Sequence, residues 1–286
     1  MISYDTLMAR EFAPVEQSYT ERDTILYALG LGLGADPLDK AHLKATYERD
    51  PGFCALPAMV NVLAGPGFWA MEPDTGLVWQ KILHGEQSFT LHAPLPTSGT
   101  IVGETKITGL IDKGADKGAL IYSERSLTDK ATGTLIATVA GTSFARGNGG
   151  FGGPTGPVKP VHKMPEGEPE VVFDHKTAPG LALTYRLNGD YNPLHADPEV
   201  ARGAGFERPI LHGLCTLGIA SWSITAAFAD GDASALKHLQ LRFSSPVYPG
   251  ETIRTEMWRD GDEVSFRARV LERDIVVLNN GLARLG

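Results

Sequence analysis

The stretch Phe89-Thr90-Leu91-His92-Ala93-Pro94-Leu95-Pro96-Thr97-Ser98-Gly99 reads as a strand, a proline-bearing corner and a glycine turn. The same order returns at Leu241-Arg242-Phe243-Ser244-Ser245-Pro246-Val247-Tyr248-Pro249-Gly250. Proline has no amide to give to a ladder, so each corner ends its strand. Runs with strand character follow each copy: Thr100 to Ile111, Gly118 to Thr128 and Gly133 to Arg146 in the first half, then Glu251 to Trp258, Val264 to Glu272 and Ile275 to Leu285 in the second. Asp260-Gly261 between two of them is a hairpin signal. An apolar, Gly/Ala-rich segment precedes each block, Phe53 to Met71 and Ile210 to Ala229. Pro57 and Gly65-Pro66 confine the first helix to a short span, whereas the second runs unbroken for several turns. A helix followed by an antiparallel sheet, twice over, is an α+β pattern in which two antiparallel sheets each wrap a central helix. The sheets are expected to join edge to edge, with the two long helices on the same side.

This layout is the hot dog fold in tandem, a double hot dog. The composition break at Arg146-Gly147-Asn148-Gly149-Gly150-Phe151-Gly152-Gly153-Pro154-Thr155-Gly156-Pro157, with the polar segment after it, divides the chain. It gives an N-terminal half over 1–150, a Gly/Pro-rich linker over 151–169 and a C-terminal half over 170–286. The 286 residues carry 34 acidic and 26 basic side chains, a net charge of −8 that disfavours nucleic acid as a partner. Cys54 and Cys215 form neither a disulfide framework nor a zinc spacing, and no Cys-x-x-Cys or His-Glu-x-x-His occurs, so no metal is implied. The opening Met1-Ile2-Ser3-Tyr4-Asp5 lacks the basic and apolar regions of a signal peptide, which predicts a cytoplasmic protein. Pro209 to Ala229 is free of charge but holds His212, Thr216, Ser221, Ser223 and Thr225, and reads as a buried helix, not a membrane span. Gly30-Leu31-Gly32-Leu33-Gly34 has the wrong spacing for a dinucleotide fingerprint and reads as a turn ahead of Asp36-Pro37.

The chemistry concentrates in Tyr185-Arg186-Leu187-Asn188-Gly189-Asp190-Tyr191-Asn192-Pro193-Leu194-His195, which leads on to Pro209-Ile210-Leu211-His212-Gly213. An acid, an amide and an imidazole within six residues, in a loop bent by Gly189 and Pro193, can be aimed at one point. Each alone would read as a capped turn; together they read as a site. The stretch resembles the hydratase 2 motif of the MaoC-like family, which includes the (R)-specific enoyl-CoA hydratases and related dehydratases. A motif confined to the second half is similar to the eukaryotic-type tandem form. The first half echoes the tyrosine and turn at Ser18 to Tyr27 but has no Asn-Pro-x-His, and so resembles the family's degenerate, acyl-binding copy.

The resemblance implies reversible hydration of trans-2-enoyl-CoA to (R)-3-hydroxyacyl-CoA in fatty acyl-CoA metabolism, with no cofactor beyond the coenzyme A of the substrate. It implies that Asp190 and His195 bind the catalytic water, that Asn192 is a further ligand keeping His195 oriented, and that the Gly213 amide donates to the thioester oxygen. Glycine at a helix start lets the carbonyl approach, and its N–H lies at the positive end of the dipole. His84-Gly85-Glu86-Gln87 matches a family signature lining the ligand cleft, while Lys113 and Phe243 correspond to coenzyme A contacts. Gly149 to Gly153 also recurs between the family's halves, and lacks the Lys-Ser/Thr of a phosphate loop. The interrupted helix at Pro57 and Gly65-Pro66 is expected to leave room for longer acyl tails. The alternatives are a dehydratase acting on a carrier-protein thioester or specialised acyl-CoA, a hot dog acyl-CoA thioesterase, and a noncatalytic acyl-CoA-binding module. An acyl-CoA thioester is the expected partner, without a membrane, and a homodimer is a possible assembly.

Overall fold

The structure is a computed structural model that describes residues 2–36 and 38–286. Met1 of the N-terminal reading and Pro37 of the glycine-turn reading lie outside the described residues. The first half supplies β1 (Val15–Tyr19), β2 (Ile82–Leu91), β3 (Gly99–Asp112), β4 (Ala119–Asp129) and β5 (Leu135–Ala145). The second supplies β6 (Val171–Lys176), β7 (Leu236–Phe243), β8 (Thr252–Asp260), β9 (Glu263–Val270) and β10 (Ile275–Leu285). The ten strands form one sheet in the order β1-β3-β4-β5-β2-β7-β10-β9-β8-β6, with every neighbouring pair antiparallel. The two expected sheets are therefore continuous. Their seam is β2 against β7, from Glu86 opposite Arg242 to Thr90 opposite His238. These are the two proline-corner strands whose repetition divides the sequence.

Six helices accompany the sheet among the described residues: α1 (Tyr4–Met8), α2 (Glu21–Gly30), α3 (Lys40–Thr46), α4 (Leu181–Tyr185), α5 (Pro198–Gly203) and α6 (Gly213–Phe228). The second half matches its expectation, since α6 has 16 residues and is buried from Cys215 to Thr225. A buried helix must satisfy its polar side chains locally, and here Ser223 Oγ donates to the Ile219 carbonyl at 2.9 Å and Thr225 Oγ1 to that of Trp222 at 3.0 Å. Gly218 admits α2 closely, because a Cβ there would stand 2.6 Å from Leu31 and 3.0 Å from the Tyr27 hydroxyl. Among the described residues no helix is long and apolar enough to cross a membrane.

The first half departs from expectation. In place of a second long helix, residues 53–71 give a five-residue 3-10 turn, Pro57–Asn61, and a shorter one at Trp69–Met71. Pro57 can start a helix but Gly65-Pro66 cannot continue one, so the segment lies flat on the sheet. Contact is tightest at Gly103 of β3, where a Cβ would fall 2.1 Å from the Ala64 carbonyl oxygen. Ala58, Met59 and Val60 of this turn are themselves buried.

The linker is pinned to the face of the sheet opposite the core. The Lys159 ammonium lies 4.7 Å from the ring centroid of Tyr122 on β4. Across the seam, His162 Nε2 pairs with Ser265 Oγ on β9 at 2.8 Å, and Asn280 Nδ2 on β10 donates to the His162 carbonyl at 2.8 Å.

Candidate active site

After α4 the chain makes a 3-10 turn, Arg186–Asn188, and reverses at Gly189, whose φ of +118° suits glycine. Asp190 follows. Its Oδ1 accepts the Asn192 amide at 3.1 Å, and Asn192 Oδ1 accepts the Leu194 amide at 3.0 Å, capping a second 3-10 turn, Pro193–His195. These nested side-chain turns set the backbone that carries His195. The Asn192 side-chain carbonyl is thus engaged by the backbone of the turn that carries His195, at an exposed position.

His195 is buried, with Nδ1 2.8 Å from the Ile210 carbonyl oxygen. A carbonyl only accepts, so Nδ1 carries the hydrogen and Nε2 keeps its lone pair in the neutral ring. Burial lowers the pKa of His195, outweighing the Ile210 carbonyl and the Asp190 charge, which both raise it. His212, the residue before α6, stacks on this ring with centroids 3.7 Å apart and planes 25° apart. Its Nε2 lies 3.1 Å from the main-chain oxygen of Asp190. One polar atom from each of Asp190, His195 and His212 falls within 4.8 Å of the others.

Gly213 opens α6 beside them, and a Cβ there would meet the Phe243 ring at 3.0 Å. Phe243 in turn packs on His84 of β2 with centroids 4.6 Å apart, so the site spans the seam. Gly85 accounts for the aim of His84. The β2–β5 register shifts between His84 and Glu86, leaving Gly85 as an extra residue, and a Cβ on it would press the Thr142 carbonyl oxygen at 3.1 Å. One extra residue flips the alternation of a strand, and here it brings His84 to the side of Gln87. His84 Nε2 pairs with Gln87 Oε1 at 2.8 Å, Gln87 Nε2 donates to Asn61 Oδ1 at 2.7 Å, and Asn61 Nδ2 donates to the Ala58 carbonyl at 2.8 Å. The surrounding protein lowers the pKa of His84, against the pull of Gln87 and of the Asp190 charge, although one edge of the residue stays open.

Asp190, His195, Gly213, Phe243 and His84 thus converge. Lys113 lies apart, exposed in the turn between β3 and β4, three strands from the start of β2 and so about 14 Å away at ordinary strand spacing. That turn is held by Asp112, whose carboxylate accepts the amides of Gly114, Gly150 and Gly152 at 2.8 Å each. Gly150 and Gly152 of this segment therefore serve as donors to a carboxylate. Sequence reasoning passes over His212, visible only as the neighbour of Gly213, and over Asn61, whose segment reads as an apolar run.

Asp190, His195 and His212 are a poor metal set. Imidazole lone pairs lie in the ring plane, and two nearly parallel rings 3.7 Å apart cannot both point at one ion about 2.1 Å from each nitrogen. The His195 and His212 nitrogens facing carbonyls are also already spent.

Two family models match the chain, the MaoC like domain over residues 160–280 and the MFE-2 hydratase 2 N-terminal domain over residues 17–147. The peroxisomal enoyl-CoA hydratase 2 of Arabidopsis thaliana is 38% identical over 96% of this chain and 93% of its own length. The chain belongs to the hydratase 2 family of MaoC-like proteins. Another relative in this family range, the 3-hydroxyacyl-thioester dehydratase Y of Mycobacterium tuberculosis, is 38% identical over 94% of this chain and 93% of its own length. Among solved structures, a MaoC-like dehydratase from Phytophthora capsici superposes with a TM-score of 0.86 at 36% identity, covering 99% of this chain and 98% of that one. A M. tuberculosis protein described as having a double hotdog fold superposes at 0.59 with 15% identity, covering 99% of this chain and 98% of its own, a likeness of fold alone. The two family models leave residues 148–159 between them.

Proposed function

We propose that this hydratase 2 family member is an (R)-specific enoyl-CoA hydratase, a hydro-lyase that adds water reversibly to trans-2-enoyl-CoA. One observation carries the reading: a carboxylate and a neutral imidazole with a free Nε2 converge beside the first amide of α6. Water held between Asp190 and His195 loses a proton to the pair as its oxygen bonds to Cβ. The alkene electrons move through Cα onto the thioester oxygen, where the Gly213 N–H, lacking an intrahelical acceptor, stabilises the enolate. Return of a proton from the pair to Cα completes the addition, and nothing else is consumed. The same steps reversed make a dehydratase, and the relative of that name supports this as the second reading. The test follows loss of enoyl absorbance on crotonyl-, hexenoyl- and decenoyl-CoA, with chiral analysis of the product. An (R)-3-hydroxy product is expected; coenzyme A release from a saturated acyl-CoA without hydration overturns the reading in favour of a thioesterase.

The proposal extends to the halves. Residues 170–286 form the catalytic half, 151–169 the linker and 1–150 the acyl and coenzyme A binding half, with His84, Gly85, Phe243 and Lys113 toward the substrate. The reach from the seam to Lys113 suits a ligand with a distant phosphate end, and a local cation is needed in a chain of net charge −8. Lys113→Ala is expected to raise KM for an enoyl-CoA more than it lowers kcat, because a remote contact acts equally on ground and transition states. An unchanged KM removes Lys113 from the site. Activity is expected to survive dialysis against EDTA, and recovery only on adding a divalent ion counts against the metal-free reading. A homodimer and a cytoplasmic location belong to the same proposal; the Arabidopsis relative is named peroxisomal.

A further inference from the structure

We propose that His212 is a positioning residue: a neutral imidazole whose Nε2–H clamps the main chain of Asp190 while its face shelves the ring of His195. The inference rests on the reading of Asp190 and His195 as the acid–base pair, and adds the element that keeps them a pair. Three observations carry it. The partner of His212 Nε2 is the Asp190 carbonyl oxygen, which only accepts, so the tautomer is fixed with hydrogen on Nε2. The ring covers His195 with centroids 3.7 Å apart and lies tilted beside Tyr185 with centroids 4.9 Å apart, so His212 is held between α4 and the catalytic turn at 1% exposure. Its Nδ1 is buried without any partner.

That last nitrogen forbids the charged form. Protonation would place an N–H where nothing accepts it, beside the positive end of α6. The groups facing the ring are Tyr185 from α4, Arg186 from the turn after it, and Asp190 and His195 from the loop. Burial, His195 and Arg186 push the pKa down against the pull of Asp190, to about 4. With its pKa at about 4, His212 is neutral near pH 7 and shields the His195 ring from water without charging it.

The clamp and the shelf are separable. His212→Phe keeps a ring and loses the donor, so kcat is expected to fall roughly 10–100-fold, the scale of an ångström-sized displacement of Asp190, with KM nearly unchanged and the acid limb of kcat/KM unmoved. His212→Gln keeps an amide donor and loses the ring, so kcat should lie above that of His212→Phe while the acid limb rises by about one pH unit as water reaches His195. Folded variants with wild-type kcat and acid limb overturn the proposal, as does a rise in KM alone, which would mark a substrate contact. Loss of hydration in the wild type itself would instead strike the acid–base reading. If neither variant folds, ¹⁵N spectra of the wild-type histidine rings decide: His212 should hold the neutral Nε2–H form from about pH 5.5 to about 9, and an imidazolium signal in that interval overturns the assignment.

Discussion

Asp190→Asn and His195→Gln are each expected to lower kcat on a 2-enoyl-CoA by roughly 10²–10⁴-fold, the usual worth of general acid–base catalysis, with little change in coenzyme A affinity. Polar atoms of the two groups lie within 4.8 Å of each other, and on the proposed mechanism they handle one water, so disabling either stops the same step. The double variant should then be scarcely worse than a single one. Losses that multiply in the double variant would mean two independent steps. Retained hydration in His195→Gln would overturn the assignment of the base. Assays on the saturated acyl-CoA in parallel keep the thioesterase reading in view, since only that chemistry would lose thioester cleavage in these variants.

The second large effect concerns a single hydrogen. Gly213 is the first residue of α6, a position where proline is well tolerated because its missing amide has no intrahelical acceptor. The preceding residue, His212, has φ −59° and ψ 134°, the extended conformation that proline demands of its predecessor. Gly213→Pro therefore removes the N–H with little cost to the helix, and kcat should drop by about 10²–10³-fold if that amide holds the enolate oxygen. Gly213→Ala is the control. It keeps the amide and adds only a Cβ at 3.0 Å from Phe243, so its loss should be clearly smaller. Equal losses in the two variants would assign the effect to crowding of Phe243 and remove the amide from the mechanism.

The sequence makes the repeated strands, the linker and α6 legible because proline, glycine and periodicity act locally. Ile275 to Leu285 is a strand at those bounds, and the Asp260-Gly261 hairpin joins β8 to β9. In the first half, Pro57 and Gly65-Pro66 shorten the apolar segment as the sequence predicts, but to 3-10 turns, so the expected second long helix is absent, and the segment lies against the sheet where Gly103 clears the way. Within the site, the Asp190, Asn192 and His195 cluster is visible from spacing, yet the turn-capping use of Asn192 is not, since an amide near a turn can face either way. His212 escapes notice for a different reason. Its importance comes from stacking and from a carbonyl 22 residues earlier in the chain, neither of which leaves a pattern in sequence.

The continuous seam between β2 and β7 has one further consequence, for symmetry. Two identical halves meeting by a two-fold axis would be obliged to carry two equal helices and two equal reaction centres, since every change in one copy would appear in the other. Joined in one chain and strapped by the linker across the back of the sheet, the halves are released from that obligation. Tyr27 on α2 in one half and Tyr185 on α4 in the other face each other with centroids 6.0 Å apart. Around them the halves differ, one carrying the long helix and the acid–imidazole loop, the other neither, with its His84 packed across the seam on Phe243.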